Sequence, residues 1–270
     1  MIEMHSYKKS IILWSVILSI ILAVQLIIIN NIMSITLDYL SMIMFVAINL
    51  SLALYATKLG VRSLIKEEAN ETREYINAQQ ISRSSIVFTK MASAVLSYAI
   101  ILIIIGFVCL LTYLLVITPY MPFETLFGEI GTLFMCTFVI GLVFMAIGFM
   151  ISALKSNNKH TIGISLLIVF GTYIAGLISI LPNTIFFKNF PLILENLGYL
   201  SPFMMVSSLF DINLPDTTAS LSVDIFSMLF VNRDIYYAIN QIPALIIISC
   251  IIVISVIVCF SVYKNKDLKT

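Results

Sequence analysis

The sequence has too few charged residues to cover a water-soluble surface. They make up 11% of its 270 residues, against 60% hydrophobic residues, and the mean hydropathy is +1.07. A soluble domain carries roughly a quarter of its residues as charged side chains. The composition therefore excludes an ordinary soluble protein and predicts one helical transmembrane domain over residues 1–270.

The residues that mark several kinds of active site are also missing. No G-x-x-x-x-G-K-[ST] phosphate-binding loop occurs, so we expect no ATP site on this chain. The two histidines, His5 and His160, are far apart in sequence, which argues against a metal site. We therefore expect no catalytic residue, no cofactor, no metal ion and no nucleic-acid partner. The four cysteines all lie in apolar runs and are interpreted as small buried hydrophobes: Cys109, Cys136, Cys250 and Cys259.

What the sequence does contain is long apolar runs. Six of them are long enough to span a bilayer, at about residues 11–29, 40–59, 91–117, 126–154, 162–181 and 242–263. The connection at about 182–241 is long and partly apolar, but Pro191, Glu195 and Pro202 interrupt it. We expect short re-entrant helices there rather than a seventh span.

The basic residues predict the orientation of these six spans. If both termini are cytoplasmic, Lys188 and Arg233 are the two basic residues on the outer side, and the other 13 of the 15 are inside. This distribution follows the positive-inside rule, and the reverse topology contradicts it. The inner basic residues are Lys8, Lys9, Lys58, Arg62, Lys66, Arg73, Arg83, Lys90, Lys155, Lys159, Lys264, Lys266 and Lys269.

Charge is concentrated in the connection between the second and third spans, "SLIKEEANETREYINAQQISRSSIVFTK" at residues 63–90. At about 100° per residue, Ile65, Ala69, Thr72 and Ile76 fall within one narrow arc of a helix, and Glu67, Glu71 and Glu74 fall on the opposite side. An amphipathic helix at about residues 64–83 is therefore expected along the inner membrane surface. Its polar face is acidic, which favours a basic protein partner over anionic lipid. The alternative is a solvated loop whose charges only obey topology.

These residues resemble the membrane subunits of ABC-type exporters in the type-two permease family, also described as type V exporters. In that family a Glu-rich segment, a Gly-Thr-x-Glu step, a Pro-x-Ser-Arg step and a Lys follow the second span. Here Glu71 replaces the usual glycine and Gln80 the usual proline. Residues 147–165, 197–203 and 263–268 resemble further segments of the family. The matching positions are Glu67, Glu68, Thr72, Glu74, Ser82, Arg83 and Lys90.

The resemblance implies that a separate ABC ATPase subunit binds ATP and Mg²⁺ and supplies the energy. The segment 64–83 would be the coupling helix that contacts this ATPase, and a second contact would involve Lys155, Lys159 and His160. A second permease subunit, identical or homologous, completes such a transporter. The coupling-helix residues expected to contact the ATPase are Glu67, Glu68, Glu71, Thr72, Glu74, Ser82 and Arg83.

Small residues on the fifth span predict close helix packing. Gly171, Ala175 and Ser179 are spaced four apart, and Gly141 and Gly148 lie on the fourth span. The pattern leaves open whether this packing is internal or at a dimer interface. Glu129, near the outer end of the fourth span, lies either within the bilayer as a functional residue or just below its outer surface.

The expected cargo is hydrophobic or amphipathic, because the spans carry few polar groups. Small peptides are the first expected cargo, because related compact subunits accompany peptide export in bacteria, and drugs or lipids come next. The expected location is a bacterial plasma membrane. Ion-coupled carriers need titratable groups near the midplane, which spans five and six lack, and a channel needs a polar lining. An intramembrane prenyl-protein protease is disfavoured, because its signature motif would need an arginine at the position of Thr72. A membrane anchor or regulatory module without transport remains the alternative function.

Overall fold

In a computed structural model of the protein, residues 2–32, 48–69, 83–116, 123–154, 158–180, 192–210 and 240–265 are described. The regular structure in these ranges is helical. The helices are α1 (Ile2–Ile32), α2 (Asn49–Ala69), α3 (Arg83–Val116), α4 (Phe123–Leu154), α5 (Asn158–Ile180), a 3-10 helix (Leu192–Leu200), α6 (Pro202–Leu209) and α7 (Gln241–Asn265).

Five of these helices are long and apolar enough to cross a membrane. Their apolar segments are Lys9–Ile27, Ser84–Thr112, Ile130–Leu154, His160–Ser179 and Gln241–Val262. They coincide with five of the six predicted spans, which confirms the all-helical membrane class. The remaining prediction is the second span, at about residues 40–59, which corresponds to α2. The second half of α2 carries several charged residues, and the start of this predicted span lies in 33–47, outside the described residues.

The helices are arranged around α4, which contacts α2, α3, α5, α6 and α7. Its interface with α2 is the most extensive in the described structure, and α1 packs along α3. One apolar cluster is built mainly from α1, α2 and α3, around Leu22, Tyr55 and Tyr98, with further residues from α4 and α7. A second lies among α4, α5, α6 and α7, around Phe144 and Phe203. The central helices α2 and α4 take part in both clusters.

Residues 192–210, which lie between α5 and α7 in the sequence, fold back into the bundle. Residues Pro202 to Ser208 of α6 are all buried, and the helix begins at Pro202, where a missing backbone N–H costs nothing. The ring of Phe203 lies 4.9 Å from that of Phe144 and 5.3 Å from that of Tyr173. Tyr173 is seven residues before the end of α5, which is about 10 Å along its axis. The expected short helices are present, and α6 packs about two turns inside the end of α5, where it is enclosed by protein.

Polar contacts join this segment to the start of α7. The backbone N–H of Asn240 donates a hydrogen bond to the Tyr199 hydroxyl at 2.9 Å. The side-chain amide of Gln241 donates to the carbonyl of Ser208 at 3.1 Å. These bonds connect α7 with the 3-10 helix and α6 at one end of the bundle.

The α2–α4 interface depends on two glycines that face each other. A Cβ atom added to Gly148 would lie 2.6 Å from the carbonyl oxygen of Thr57 and 3.4 Å from the Cα of Gly60. A Cβ added to Gly60 would collide with the carbonyl oxygen of Met145. The two helix backbones are therefore in direct contact, as small residues permit inside membranes. On α4, Gly141 is likewise covered by the ring of Tyr98, so the close packing expected of Gly141 and Gly148 is confirmed.

We predict that Gly148→Ala destabilises the protein while Gly131→Ala does not. Both changes raise the helix propensity of α4 equally. Only at Gly148 does the new methyl group meet backbone, whereas at Gly131 it meets no described atom within 4 Å. The expected cost of the overpacking is about 1–3 kcal/mol, measured as a lower thermal midpoint of the detergent-purified chain. Equal midpoints for the two variants would contradict the direct backbone contact.

Candidate functional site

Helix α2 joins the buried centre of the bundle to the acidic segment. It runs without a break from Asn49 to Ala69, so residues 64–69, predicted to begin a separate surface helix, continue α2 instead. The reason is packing: Val61 and Leu64 are buried beyond the predicted end of the span at residue 59. The Ser63 hydroxyl donates to the carbonyl of Gly60 at 2.9 Å, within the same helix. Helical backbone therefore extends from the core into the charged region.

Glu67 and Glu68 lie on the last turn of α2, and Arg83 is the first residue of α3. The positions of their side chains lie outside what the structure describes. The residues Glu71, Thr72, Glu74 and Ser82, also predicted to belong to a coupling helix, fall in 70–82, outside the described residues. The amphipathic helix over 64–83 thus stays a prediction beyond Ala69.

The residues proposed for the second contact lie at the start of α5 and just before it. Lys155 is outside the described residues, Lys159 lies on the first turn of α5, and His160 is exposed. The first candidate contact begins on α2 and the second on α5, and α2 packs on α5 as well as on α4. The two candidate contacts therefore belong to helices that pack on each other.

A buried polar cluster joins α2, α3 and α4. The Tyr98 hydroxyl donates to the backbone carbonyl of Thr137 at 3.0 Å. The Thr137 hydroxyl lies 2.7 Å from Asn49 Oδ1 and 2.9 Å from the carbonyl of Leu133, so these acceptors share its one hydrogen. Asn49, Tyr98 and Thr137 are 4%, 0% and 1% exposed. In an apolar surrounding such bonds fix the relative position of three helices.

Lys90 is buried where the sequence suggested a loop residue. Its side chain is 2% exposed, and it lies on α3 about two turns beyond Arg83. Buried ionisable groups in membrane helices are costly and are functional candidates. The sequence signal was present, because the resemblance singled out Lys90, but its burial could not be read from hydropathy.

The small residues of α5 are divided between two environments. Gly171 is exposed, and a Cβ there would meet no described atom within 4 Å. Ser179 is buried and donates its hydroxyl to the carbonyl of Gly176 at 2.7 Å. The internal close approach is at Gly176, where an added Cβ would lie 2.6 Å from the Ser201 hydroxyl oxygen. Ala175 is partly buried between these two faces.

We predict that Thr137→Val destabilises the bundle by about 1–2 kcal/mol, because it removes the donor to Asn49 without changing the size of the side chain. The matched control is Thr132→Val on the same helix, whose exposed hydroxyl donates to the carbonyl of Gly128 within α4. The measurement is the thermal midpoint in detergent. A decrease of equal size in both variants would show that the α2–α4 hydrogen bond contributes nothing.

Comparison with known families identifies the architecture. The family model described as "ABC-2 family transporter protein" matches residues 6–268, nearly the whole chain. A search of curated proteins found no match. A helical bundle whose buried central helix leads into an acidic segment is consistent with a membrane subunit that works with an ABC ATPase. The chain belongs to the ABC-2 family of transporter permeases.

Proposed function

We propose that this chain is the membrane subunit of an ATP-driven exporter that moves hydrophobic or amphipathic molecules out of the cell. A separate ABC ATPase subunit binds ATP and Mg²⁺, and this chain contributes no ATP site. With both termini cytoplasmic, the acidic segment faces the ATPase at the inner surface of a plasma membrane, in a bacterial cell. Small amphipathic peptides are the first expected cargo, and drugs or lipids come next.

The observation that supports this function best is the continuity of α2. One helix carries Asn49 in the buried polar cluster, Gly60 at the backbone contact with α4, and Glu67 and Glu68 on its last turn. A displacement of the acidic end is therefore transmitted to α4 as movement of a rigid element. Helix α4 in turn contacts α3, α5, α6 and α7, so the motion reaches the rest of the bundle.

The charge of this end supports a basic groove on the ATPase as its partner. Glu67, Glu68, Glu71 and Glu74 lie within eight residues. In the proposed complex they contact the ATPase together with Thr72, Ser82 and Arg83, and Lys155, Lys159 and His160 make the second contact. ATP binding draws two ATPase subunits together, and α2 carries that movement into the membrane.

The test uses the chain reconstituted with its ATPase subunit in vesicles, where ATP hydrolysis and peptide uptake are measured with and without an amphipathic peptide. We predict that neutralising the acidic segment lowers peptide-stimulated hydrolysis by about tenfold. A tenfold change corresponds to about 1.4 kcal/mol, which is within the range that charged side chains contribute at a protein interface. The changes are Glu67→Gln, Glu68→Gln, Glu71→Gln and Glu74→Gln.

The matched control removes four acidic residues from the segment predicted to lie outside: Asp211→Asn, Asp216→Asn, Asp224→Asn and Asp234→Asn. Copurification of the ATPase subunit separates coupling from docking. Absence of stimulation in a complex that still assembles supports coupling, and failure to assemble supports docking alone. Hydrolysis and assembly unchanged by the Glu→Gln changes would overturn the proposed contact. A complex that hydrolyses ATP without any cargo response would favour an anchor or regulatory module.

We further propose that a second permease subunit packs against the exposed face of α5. Gly163, Leu167, Gly171 and Ile174 fall within one arc of that helix. Leu167 is 73% exposed and Ile174 51% exposed, and at both glycines an added Cβ would meet no described atom within 4 Å. Glycines flanking a large side chain allow a helix of a second copy to approach closely.

We predict that Leu167→Cys forms a disulfide-linked dimer on mild oxidation in membranes. The background carries Cys250→Ser, because Cys250 is the exposed cysteine among the described residues while Cys109, Cys136 and Cys259 are buried. The control is Ile103→Cys, 70% exposed on α3, which is expected to stay monomeric. Adding Gly171→Leu should reduce the Leu167→Cys product by about half or more. Equal cross-linking at both cysteines, or none at Leu167→Cys, would place the dimer interface elsewhere.

A further inference from the structure

An aromatic and basic group lies between α1 and α2, apart from the acidic segment. The Lys58 ammonium lies 6.0 Å from the centroid of the Trp14 ring. The Trp14 and Tyr55 rings are 5.3 Å apart, and the Tyr55 hydroxyl is 3.4 Å from the hydroxyl oxygen of Ser10. Side chains from both helices therefore hold the ammonium of Lys58 at one place, partly exposed.

Arg62 adds a second cation beside Lys58. It is one turn further along α2, on the same face, and it is exposed. Its charge acts on Lys58 and on Tyr55. Two like charges one turn apart on a helix destabilise it, and an anion bound between them removes that repulsion.

The depth of this group corresponds to a membrane interface. The apolar segment of α1 begins at Lys9, and Trp14 is five residues further, about 8 Å along the axis. Tryptophan and lysine are typical of this depth, where the ring lies at headgroup level and the ammonium extends toward water. The predicted orientation makes this the inner leaflet, which carries anionic lipid.

An apolar stripe continues from the cations toward the bilayer centre. Trp14, Ile17 and Ile21 follow one another at helical spacing on α1. Ile17 and Ile21 are 41% and 40% exposed. A molecule with its anionic group at Lys58 and its hydrocarbon along these isoleucines has the form of a phospholipid, whereas free phosphate would use only the polar end.

We propose that Lys58 and Arg62, with Trp14, bind the headgroup phosphate of an anionic phospholipid of the inner leaflet, whose acyl chain lies along Ile17 and Ile21. The lipid headgroup lies beside Lys58 and Arg62, about one and a half to two and a half turns before Glu67 on α2. Because α2 packs on α4, a lipid bound here adds to the contacts that hold α2 in place.

The sequence offers a selective probe of this site, because Trp14 is its one tryptophan. The full chain is reconstituted in phosphatidylcholine vesicles, and Trp14 fluorescence is quenched with dibrominated phosphatidylglycerol or dibrominated phosphatidylcholine at equal mole fraction. We predict that the anionic lipid associates more strongly than the zwitterionic one. The ratio of anionic to zwitterionic lipid association should fall about fivefold for each cation removed, because one Lys or Arg attracts anionic lipid at a membrane surface by about that factor.

The test variants are Arg62→Gln, an exposed change that leaves packing intact, and Arg62→Gln combined with Lys58→Gln. The substitution Lys58→Arg keeps the charge and should keep the preference. The matched control is Lys264→Gln with Lys266→Gln, which removes two basic residues near the C-terminus. Equal quenching by the two lipids, or an equal loss of preference in the control, would overturn the site. Competition by dissolved inorganic phosphate would also overturn it, since that outcome assigns the cations to a free anion.

Discussion

Direct contact between the backbones of α2 and α4 at Gly60 and Gly148 is the constraint on which the described bundle depends. Lipid provides no hydrophobic force between membrane helices, so association relies on close van der Waals packing and on hydrogen bonds. The glycines permit the first, and the bond between Thr137 and Asn49 supplies the second. Both act on the same pair of helices, which makes α2 and α4 one mechanical unit.

The polar groups of this unit are separated along α2. Asn49 is satisfied in the centre by a partner on α4, whereas Lys58 and Arg62 lie toward the interface and Glu67 and Glu68 come last. Asn49 is buried, Lys58 partly buried and Arg62 exposed, because charges are tolerated in a membrane protein where they reach water or headgroups. This order fits the proposed roles of α2 as core helix, interfacial anchor and connection to the ATPase. An energy-transmitting role for α2 therefore needs no additional element in the membrane.

Much of this architecture was predictable because hydropathy and helix length report directly on membrane spans. Five predicted spans agree with helices to within a few residues at most ends, except that α1 and α3 begin eight or nine residues earlier than predicted. The helix of the second predicted span continues past residue 59 to Ala69, because Val61 and Leu64 remain buried although Lys58 and Arg62 interrupt the apolar run. The prediction of an amphipathic helix beyond Ala69 rests on the sequence alone, because those residues lie outside the described ones.

Composition and motif order by themselves determined the membrane class, the permease family and the lack of a phosphate-binding loop. Tertiary structure alone decided which small residues meet: Gly60 with Gly148, and Gly176 rather than Gly171 with the segment that folds back. It also decided that Trp14 lies beside Lys58. The reason is that helical periodicity shows which residues share a face, but not which neighbour that face meets. Here the partners are distant in sequence, as with Asn49 and Thr137, 88 residues apart.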